Sequence, residues 1–493
     1  MHIGFLNPQG NFDPGDSYWT EHADFGGQLV YVKQVALALG EMGHRVDILT
    51  RRIVDADWPP FANDLDVYPD APNVRIVRVP AGEDDRFLPK EDLWPFLGRD
   101  WVPGIIDLYR AEGSFPDAFT GHYGDGGLAA VLLRAEIGIP FTFTAHSLGA
   151  QKMDKLEARC SNLTELEDRY HFASRLVGER LAMNHSGVNI TSTRQERFEQ
   201  YGHHAYREAV SVDDDARFAV VPPGVNLAIF GSDARAATEA ATRRTVDDRL
   251  ARDLDPGRLG LPVVVASSRL DPKKNHFTIV EAFATDDALR RTANLVILTG
   301  SLDDPLHSDD GISAGELAVL RPLRELIASA GLEGSVAAFA LPGQERLAAA
   351  YRYLAERRSV FCLTALYEPF GLAPLEAAAA GLPLAVTRNG GPSESLVQDG
   401  IEYGVLVDPA DVASVAAGLL RALGPEWDDL AARGRQRVLD RYTWDRTAEG
   451  YLGAIERAMA NAGGSLLPIP AWFGDPGSGD GFDAGDLAAI YLV

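Results

Sequence analysis

The chain contains 493 residues, of which 71 are acidic and 46 are basic, so its formal net charge at pH 7 is −25. A surface this negative excludes nucleic acid or an anionic membrane as the main partner, because both require a basic surface. The apolar content of 46% and the length indicate a globular protein too large for one hydrophobic core, and two domains are therefore predicted.

The residues Met1–Leu6 lack the basic leader and the apolar run of a signal peptide. No apolar stretch approaches the roughly 20 residues that a membrane helix requires. The two cysteines, Cys160 and Cys362, lie far apart in the sequence, which excludes a disulfide scaffold and a thiolate metal site. We therefore expect a cytoplasmic protein that does not bind membranes.

The first half of the chain alternates short apolar runs with helical patterns. Such an alternation predicts βαβ units around a parallel sheet. The runs assigned to strands are Ile3–Leu6, Val46–Leu49, Val74–Val79, Phe119–His122, Pro140–Ala145 and Val188–Ser192.

A domain hinge is predicted at Val221–Asn226, where proline and glycine follow a polar stretch. Beyond it the alternation restarts. The second set of predicted strands is Val263–Ser267, Leu295–Thr299, Val336–Ala340, Val360–Thr364, Leu384–Thr387 and Gly404–Val407.

The sequence therefore predicts an α/β protein of two doubly wound, Rossmann-like domains, residues 1–222 and 223–443. Open α/β sheets bind ligands at the carboxyl ends of their strands, so the two domains are expected to face each other across a binding cleft. A helix over 444–462 is expected to pack back onto the first domain, and 463–493 to form an irregular tail.

Six of the 46 basic residues are lysine, and each lies in or beside a stretch that suits a small-molecule site. Lysine and arginine are not interchangeable where a compact charge must reach a phosphate or hydroxyl group. The lysines are Lys33, Lys90, Lys152, Lys155, Lys273 and Lys274. Because the lysines cluster in these stretches, we interpret them as residues of binding sites and not as chance remainders in a composition that favours arginine.

Three motifs of the first half occur where this fold places its chemistry. Asp24–Gln28 precedes a helical pattern, and its adjacent glycines let backbone amides approach an anion. His122–Gly127 and Ala145–Lys152 each follow an apolar strand. The side chains expected to converge there on one polar ligand are Tyr123, His146, Ser147, Lys152 and Arg175.

The second half carries two pairs of charged residues at strand ends. Arg269 and Lys274 lie five residues apart across a strand-to-helix turn, and two cations at a helix N-terminus form a diphosphate site. Glu368 follows a strand, and Glu376 stands eight residues later in an alanine-rich helix. Carboxylates accept hydrogen bonds from vicinal hydroxyls, so this spacing suits one glutamate on a sugar ring and one on a ribose.

These four residues resemble the donor-site signature of retaining glycosyltransferases of the GT-B fold, family 4. Further motifs narrow the resemblance to the sucrose-phosphate synthase family, especially its short bacterial forms. They are Asn7–Gly10, Asp24–Val32, Thr50–Arg52, His122–Gly126, His146–Gly149 and Asn389–Pro392. The likeness extends from Asn7 to about Leu452, so that only the tail falls outside it.

The resemblance implies that Arg269 and Lys274 hold the donor diphosphate, Glu376 the ribose, and Glu368 and His146 the transferred ring. Four residues are thereby assigned to catalysis, namely His146, Glu368, Arg269 and Lys274. The implied donor-binding residues are Gly26, Gly27, Arg269, Lys274, Glu368, Phe370, Gly371, Leu372 and Glu376.

The acceptor of this family is fructose 6-phosphate. The residues that the resemblance assigns to it are Gly27, Gln28, Lys90, Tyr123, Ser147, Lys152 and Arg175. The resemblance also implies a reaction without cofactor or metal, in which the acceptor attacks the face from which the nucleotide leaves and the leaving phosphate takes the acceptor proton. Catalysis then consists mostly of positioning and of stabilising the diphosphate charge.

One departure leaves alternatives open. Ala173 and Ser174 stand where the family leads us to expect a more basic cluster beside Arg175, which weakens the case for a phosphorylated acceptor. A second interpretation is a pseudo-glycosyltransferase that couples a nucleotide-activated cyclitol to an amino sugar, as in acarbose-type pathways. A third is a non-catalytic sugar-nucleotide binding protein, which the four donor residues disfavour. The base of the donor, uracil, adenine, guanine or thymine, and the oligomeric state stay open.

Overall fold

The computed structural model describes residues 1–18, 27–83, 86–235, 237–461, 466–479 and 481–492. The chain divides into two compact units. The first comprises Met1–Pro222 and Thr447–Val493, and the second comprises Pro223–Arg446.

The first unit is built on an eight-stranded sheet. Its strands are β1 (His2–Leu6), β2 (Arg45–Arg51), β3 (Leu65–Tyr68), β4 (Ala71–Val79), β5 (Ala118–His122), β6 (Phe141–Thr144), β7 (Val188–Thr191) and β8 (Phe218–Val220). Their order is β3-β4-β2-β1-β5-β6-β7-β8. Neighbouring strands pair in parallel, apart from β3, which runs antiparallel to β4. The chain order reverses between β1 and β5, and such a switch point is where open α/β sheets bind ligands.

Helices connect these strands, namely α1 (Gly27–Glu41), α2 (Trp94–Phe96), α3 (Val102–Glu112), α4 (Tyr123–Ile137), α5 (Gly149–Lys155), α6 (Leu163–Tyr170) and α7 (Phe172–His185). The start of α4 is pressed against the end of β1. A Cβ atom at Gly126 would lie 2.3 Å from the carbonyl oxygen of Leu6, so a glycine is required there. At its other end α4 stops at Gly138, whose φ of 76° forms a left-handed cap.

The second unit contains a six-stranded, all-parallel sheet with the order β11-β10-β9-β12-β13-β16. The strands are β9 (Val263–Ser267), β10 (Asn294–Thr299), β11 (Val336–Ala340), β12 (Val360–Leu363), β13 (Leu384–Thr387) and β16 (Val405–Val407), while β14 (Val397–Gln398) and β15 (Ile401–Glu402) form a small antiparallel pair. All six residues of β10 are buried, as expected for a parallel strand covered on both faces. The switch point of this sheet lies between β9 and β12.

The helices of the second unit are α8 (Leu227–Phe230), α9 (Glu239–Asp253), α10 (His276–Thr285), α11 (Asp287–Thr292), α12 (Ala314–Ser329), α13 (Gln344–Glu356), α14 (Leu372–Ala379), α15 (Pro392–Ser395), α16 (Val412–Leu423) and α17 (Trp427–Arg441). Helix α12 begins with a capping box, in which Ser313 and Glu316 each bond the other's backbone amide.

The C-terminal segment contributes two helices, α18 (Trp444–Ala460) and α19 (Ala484–Tyr491). From Thr447 onward α18 belongs to the first unit, where the Tyr451 hydroxyl lies 2.7 Å from Thr144 Oγ1. The expectation of an irregular tail over 463–493 is wrong for its last part. Asp483 caps α19 with its side chain, and Leu487 is buried in the core of the first unit, so the helix gains both a start signal and an apolar face.

The tail enters the core of the first unit ahead of α19 as well. Phe473 is fully buried there, and its carbonyl oxygen would lie 1.9 Å from a Cβ atom at Gly98. The Asn184 side chain accepts a hydrogen bond from the backbone of Leu467, at 2.7 Å. The tail is therefore an integral part of this unit.

We expect Phe473→Ala to lower the free energy of unfolding by about 3–5 kcal/mol, because it leaves a cavity in a packed core. Leu466→Ala, whose side chain is exposed on the same tail, serves as the control and should change it by less than about 0.5 kcal/mol. Denaturant titration of both variants beside the wild type measures the difference. Equal effects of the two substitutions would contradict the docking of the tail.

Within the residues that the structure describes, no helix combines the length and the apolar character needed to cross a membrane.

Candidate active site

The predicted donor residues of the second unit lie on loops that follow three neighbouring strands. Arg269 and Lys274 follow β9, Glu368 follows β12, and Asn389–Pro392 follows β13. Because β9, β12 and β13 are adjacent and parallel, their carboxyl ends meet at one edge of the sheet, beside its switch point.

Lys274 and Glu368 are paired directly. The ammonium Nζ of Lys274 lies 2.7 Å from Oε2 of Glu368, and both side chains are largely buried. The Asp271 side chain accepts a hydrogen bond from the Lys273 amide and caps the short 3-10 helix Pro272–Lys274. The two residues lie 94 positions apart in the sequence, and the fold brings them together as one ion pair.

Arg269 differs from Lys274 in its surroundings. Its side chain is exposed and forms no hydrogen bond or ion pair with the residues that the structure describes. An exposed guanidinium at the end of β9 is available to an anionic ligand, and its fork of N–H donors matches the oxygens of a phosphate.

The loop after β13 fixes the position of Glu368. The Glu368 amide donates to the carbonyl of Asn389 at 3.0 Å, and the Gly391 amide donates to the carbonyl of Glu368 at 2.9 Å. Gly390 has a φ of 97°, and a Cβ atom there would lie 2.1 Å from the Glu368 carbonyl oxygen. The glycines of this loop therefore permit the close contact that orients Glu368.

Glu376 lies in α14, five residues beyond Gly371, whose φ of 93° allows the turn from Phe370 into the helix at Leu372. Its side chain is half-buried, and burial raises the pKa of the Glu376 carboxyl to about 7. A buried carboxyl without a compensating cation favours its protonated form.

The raised pKa makes a prediction about stability. In the unfolded chain a Glu carboxyl titrates near 4.3, so between about pH 4.5 and pH 7 the folded protein binds more protons and its stability falls as the pH rises. Glu376→Gln removes this loss. The variant should match the wild type near pH 4 and exceed its free energy of unfolding by up to about 3 kcal/mol at pH 8, a ceiling for a half-buried group.

Urea titrations of both proteins at pH 4.5, 6 and 8 measure this difference. The nearby Glu394→Gln, on α15, is the control. A stability difference between wild type and Glu376→Gln that stays constant over this pH range would contradict the burial of the Glu376 carboxyl.

His276 is a residue of this region that the sequence analysis missed. Its ring is buried, its Nε2 lies 3.1 Å from Ser268 Oγ, and burial together with the Lys274 charge lowers the pKa of His276 to about 4. The neutral imidazole ties the end of β9 to the start of α10. The signal in the sequence is its place directly after Lys274-Asn275, at the start of a helix.

The predicted residues of the first unit follow β5 and β6. Tyr123 begins α4 directly after β5 with a φ of 63°, and His146 follows β6 with a φ of 55°. Both are non-glycine residues in the left-handed region, a conformation that persists where the surrounding structure enforces it and that occurs often at functional sites. Their rings lie 5.4 Å apart between centroids.

His146 sits in an aromatic environment. Its Nε2 lies 2.8 Å from Nδ1 of His122, and Tyr31 packs edge-on at 5.0 Å between ring centroids. Burial lowers the pKa of His146 to about 3, so the imidazole is neutral at physiological pH. His122, fully buried at the end of β5, was not predicted as a functional residue, and its contact fixes the orientation of the His146 ring.

Three predicted acceptor residues line one depression of the first unit. Lys90, Tyr123 and Arg175 share its wall with Glu91. Lys152 approaches from α5, with its Nζ 3.5 Å from Oε1 of Glu91 and 3.9 Å from the centroid of the Tyr170 ring. We call this feature the cationic depression. The structure thereby gathers four of the predicted residues from four different elements.

The Glu179 carboxylate holds Arg175 of the cationic depression in place. It is fully buried in α7, and its carboxylate accepts hydrogen bonds from the Gly149 amide at 3.0 Å, from Nε of Arg175 at 2.8 Å and from the Tyr206 hydroxyl. Arg175 also donates to the carbonyl of Ser147 at 2.9 Å. The sequence analysis missed Glu179, although its spacing four residues after Arg175 on a helix is a signal for such a pair.

The remaining predicted residues take other positions. Ser147 is exposed next to Arg175, Gly27 is exposed at the start of α1, and the Gln28 side chain buries its Oε1. Neither Gly27 nor Gln28 lines the cationic depression. Gly26 lies outside the described residues.

The burial of Ala173 and Ser174 explains why no basic cluster stands beside Arg175 at these positions. Ala173 is fully buried and Ser174 is nearly so, with the Ala173 amide bonded to the Glu167 carboxylate at 2.8 Å. Long basic side chains at these places would have to enter the core of the unit. The cations of the depression come instead from Lys90, Lys152 and Arg175.

One group of three potential metal ligands occurs among the described residues, formed by Asp253, Asp304 and His307. Arg252 forms ion pairs with both aspartates, at 2.6 Å and 3.8 Å. None of the three belongs to the strand-end loops that carry the predicted donor residues. No cofactor or metal is assigned to them.

The chain is similar to known glycosyltransferases over nearly its whole length. Residues 5–248 match the family model of the sucrose synthase first GT-B domain, and residues 256–437 match that of glycosyl transferases group 1. A probable sucrose-phosphate synthase of Thermosipho melanesiensis is 42% identical over 457 residues, which cover 93% of this chain and 97% of that protein.

A sucrose-phosphate synthase of Zea mays is 33% identical over 94% of this chain, which spans about half, 47%, of the maize protein. The solved structure of a sucrose-phosphate synthase from Thermosynechococcus elongatus is 25% identical, with a TM-score of 0.62 over 94% of this chain and 100% of that one. The two units described above therefore have the GT-B fold.

Proposed function

We propose that this chain, because it belongs to the sucrose-phosphate synthase family of glycosyltransferases, transfers a hexosyl group from a nucleotide sugar to fructose 6-phosphate and produces sucrose 6-phosphate. The observation that carries the proposal is the cationic depression. It places Lys90 and Arg175 beside Tyr123, with Lys152 at its edge. In a chain with a net charge of −25, such a local group of cations is suited to an anionic ligand.

The acceptor phosphate would replace Glu91 as the partner of Lys152. Burial lowers the pKa of Lys152, and a phosphate that approaches the ammonium reverses this effect by adding negative charge. Arg175 is already oriented by Glu179 and by the Ser147 carbonyl, so little side-chain freedom is lost when it binds. The Tyr123 hydroxyl adds a neutral hydrogen bond.

The donor diphosphate would bind to Arg269 and Lys274. When the diphosphate takes the Lys274 ammonium, the Glu368 carboxylate loses that partner and can accept a hydrogen bond from a hydroxyl of the transferred ring. The Lys274 ammonium and the Glu368 carboxylate, which lie 2.7 Å apart, would thus both contact the same nucleotide sugar. Glu376 would bind the ribose, and the amides at the start of α14 would favour the negative charge.

In the reaction, the bond between the sugar C1 and the diphosphate oxygen breaks, and the anomeric hydroxyl of fructose 6-phosphate forms a new bond to C1. The acceptor attacks the face of the ring from which the diphosphate leaves, so the configuration at C1 is retained. The departing phosphate oxygen takes the hydroxyl proton. Arg269 and Lys274 stabilise the charge that develops on the diphosphate. His146, neutral at physiological pH, can hydrogen-bond a sugar hydroxyl.

We further propose that the reaction needs no metal, because two side-chain cations are available to the diphosphate. Exhaustive treatment with a chelator should leave turnover within about twofold of the untreated enzyme, since no charge is removed from the site. The steady-state rate before and after chelation measures this. A loss that added Mg²⁺ restores would contradict the proposal.

Product analysis tests the proposed reaction. Purified protein is incubated with nucleotide-activated glucose and fructose 6-phosphate, and the product is identified by mass spectrometry and nuclear magnetic resonance. We expect sucrose 6-phosphate with the α configuration of the donor retained. An inverted anomer, or transfer to an amino-sugar acceptor but not to fructose 6-phosphate, would overturn it.

A further inference from the structure

The first unit contains a second cavity, which the proposed reaction does not use. Its volume is about 330 Å³. One wall is formed by the segment 91–95, a second by His171 and Ser174, and a third by Trp472 and Phe482 of the tail. We call it the tail cavity. A volume of this size lies at the lower end of the range found for small-molecule sites.

Aromatic rings shape the tail cavity. The rings of Trp472 and Phe482 lie 5.5 Å apart at 80°, and the buried Phe473 supports both. Gly481 has a φ of 75°, and a Cβ atom there would lie 3.2 Å from Nε1 of Trp472, so the indole packs closely on the glycine. These contacts form the aromatic wall without a ligand.

Trp94 contributes the third ring and an unused hydrogen-bond donor. Its side chain is 5% exposed, and its Nε1 has no hydrogen-bond partner among the residues that the structure describes. A buried N–H group without a partner costs free energy that a ligand oxygen can recover. Ser174, also buried, offers a hydroxyl on the neighbouring wall.

The charges of the tail cavity select against ions. Among the described residues that line it, none is lysine or arginine, whereas Glu91 and Asp92 are acidic. Glu91 already lies 3.5 Å from the Lys152 ammonium, and Asp92 lies 3.6 Å from the His171 ring. An anion would meet the carboxylates, and a cation at Glu91 would compete with the Lys152 ammonium that is already there. The carboxylate oxygens still have free lone pairs for hydroxyl donors.

We propose that the tail cavity binds an uncharged sugar of one or two rings. Aromatic walls suit the apolar faces of a sugar ring, and the carboxylates and the Ser174 hydroxyl suit its hydroxyl groups. The inference goes beyond the proposed transfer reaction, because it assigns a second ligand to residues outside the donor and acceptor assignments. Glu91 and Trp94 line both this cavity and the cationic depression.

Calorimetric titration of the full-length protein with sucrose, in the absence of nucleotide sugar, tests the proposal. We expect saturable binding that Phe482→Leu, which loses the ring, and Asp92→Asn, at an exposed position, each weaken by about tenfold, the effect of one lost contact. Asp107→Asn is the matched control. It changes an exposed aspartate that lines a different cavity of the same unit, and binding should stay within about twofold.

Tyr123→Phe separates the two sites, because it removes a hydroxyl group from a residue that lines the cationic depression and does not line the tail cavity. Sucrose should bind this variant within about twofold of the wild type, and transfer activity of Phe482→Leu should also stay within about twofold. The proposal would be overturned if the wild type did not bind sucrose, if Phe482→Leu and Asp92→Asn bound it as tightly as the wild type, or if spermidine displaced it. Loss of transfer activity alone would concern the reaction and not this cavity.

Discussion

Lys274→Ala is expected to lower turnover by on the order of 10²-fold or more, because it removes one of the two cations that we propose to stabilise the developing diphosphate charge. The same change leaves Glu368 without its partner at 2.7 Å, in a largely buried position. Both effects act on the reaction more than on the fold, since the backbone of 272–274 is held by the Asp271 cap. Arg269→Ala should act in the same direction, because its exposed guanidinium is the second cation.

Lys273→Ala is the matched control for this prediction. Lys273 is the next residue in the chain, carries the same charge and has an exposed side chain outside the Lys274–Glu368 pair. Steady-state turnover at saturating substrates, together with unfolding midpoints, measures the three variants. Normal turnover by folded Lys274→Ala, or an equal loss in Lys273→Ala, would remove the donor assignment.

Lys152→Ala is expected to erase most of the preference for a phosphorylated acceptor. A hydrogen bond to a charged group contributes about 1.5–3 kcal/mol, so kcat/KM for fructose 6-phosphate should fall by roughly 10- to 100-fold while that for fructose changes little. The KM for the nucleotide sugar should stay within about twofold, since the donor residues are untouched.

Lys155→Ala supplies the comparison for Lys152, because Lys155 lies on the same helix, α5, with an exposed side chain. Its kinetic constants should match those of the wild type. A Lys152 variant that keeps the full preference for fructose 6-phosphate would show that the phosphate binds elsewhere than the cationic depression.

The strands of both sheets could be predicted from the sequence because a buried parallel strand is a short apolar run between turns. Val263–Ser267 and Val336–Ala340 were predicted with the bounds that the structure gives. The strands β3 and β8 were missed. Both lie at an edge of the sheet, and β3 has no continuous apolar run to detect, because Asp66 stands between Leu65 and Val67, which are both exposed. Strand β8 has only three residues.

The tail shows a different limit. Its glycine, proline and aspartate content predicts irregular structure. Helix α19 nevertheless forms, because it packs against α6 and α7 and buries Leu487 and Tyr491. Tertiary burial of this kind overrides local composition. The composition of the tail does not show the surface of α6 and α7 against which α19 packs.

The residues of the candidate site could be proposed from the sequence, but the contacts between them could not. The motifs place Lys274, Glu368, His146 and Lys152 at strand or helix ends, which the fold then brings together in each unit. The supporting residues were missed because their roles depend on contacts across the sequence. Glu179 is the clearest case, since the Gly149 amide and the Tyr206 hydroxyl that it binds stand 30 and 27 positions away.

An activity matrix of donors against acceptors tests the central claim most directly. The glucose esters of uridine, adenosine, guanosine and thymidine diphosphate are each combined with fructose 6-phosphate, fructose and an amino-sugar oligosaccharide, and kcat/KM is measured for every pair. We predict that kcat/KM for fructose 6-phosphate exceeds that for fructose by roughly 10-fold or more with at least one donor, because the cations of the cationic depression are proposed to contact the phosphate. Equal use of fructose and fructose 6-phosphate, or refusal of fructose 6-phosphate with all four donors, would contradict the assignment of a sugar-phosphate acceptor.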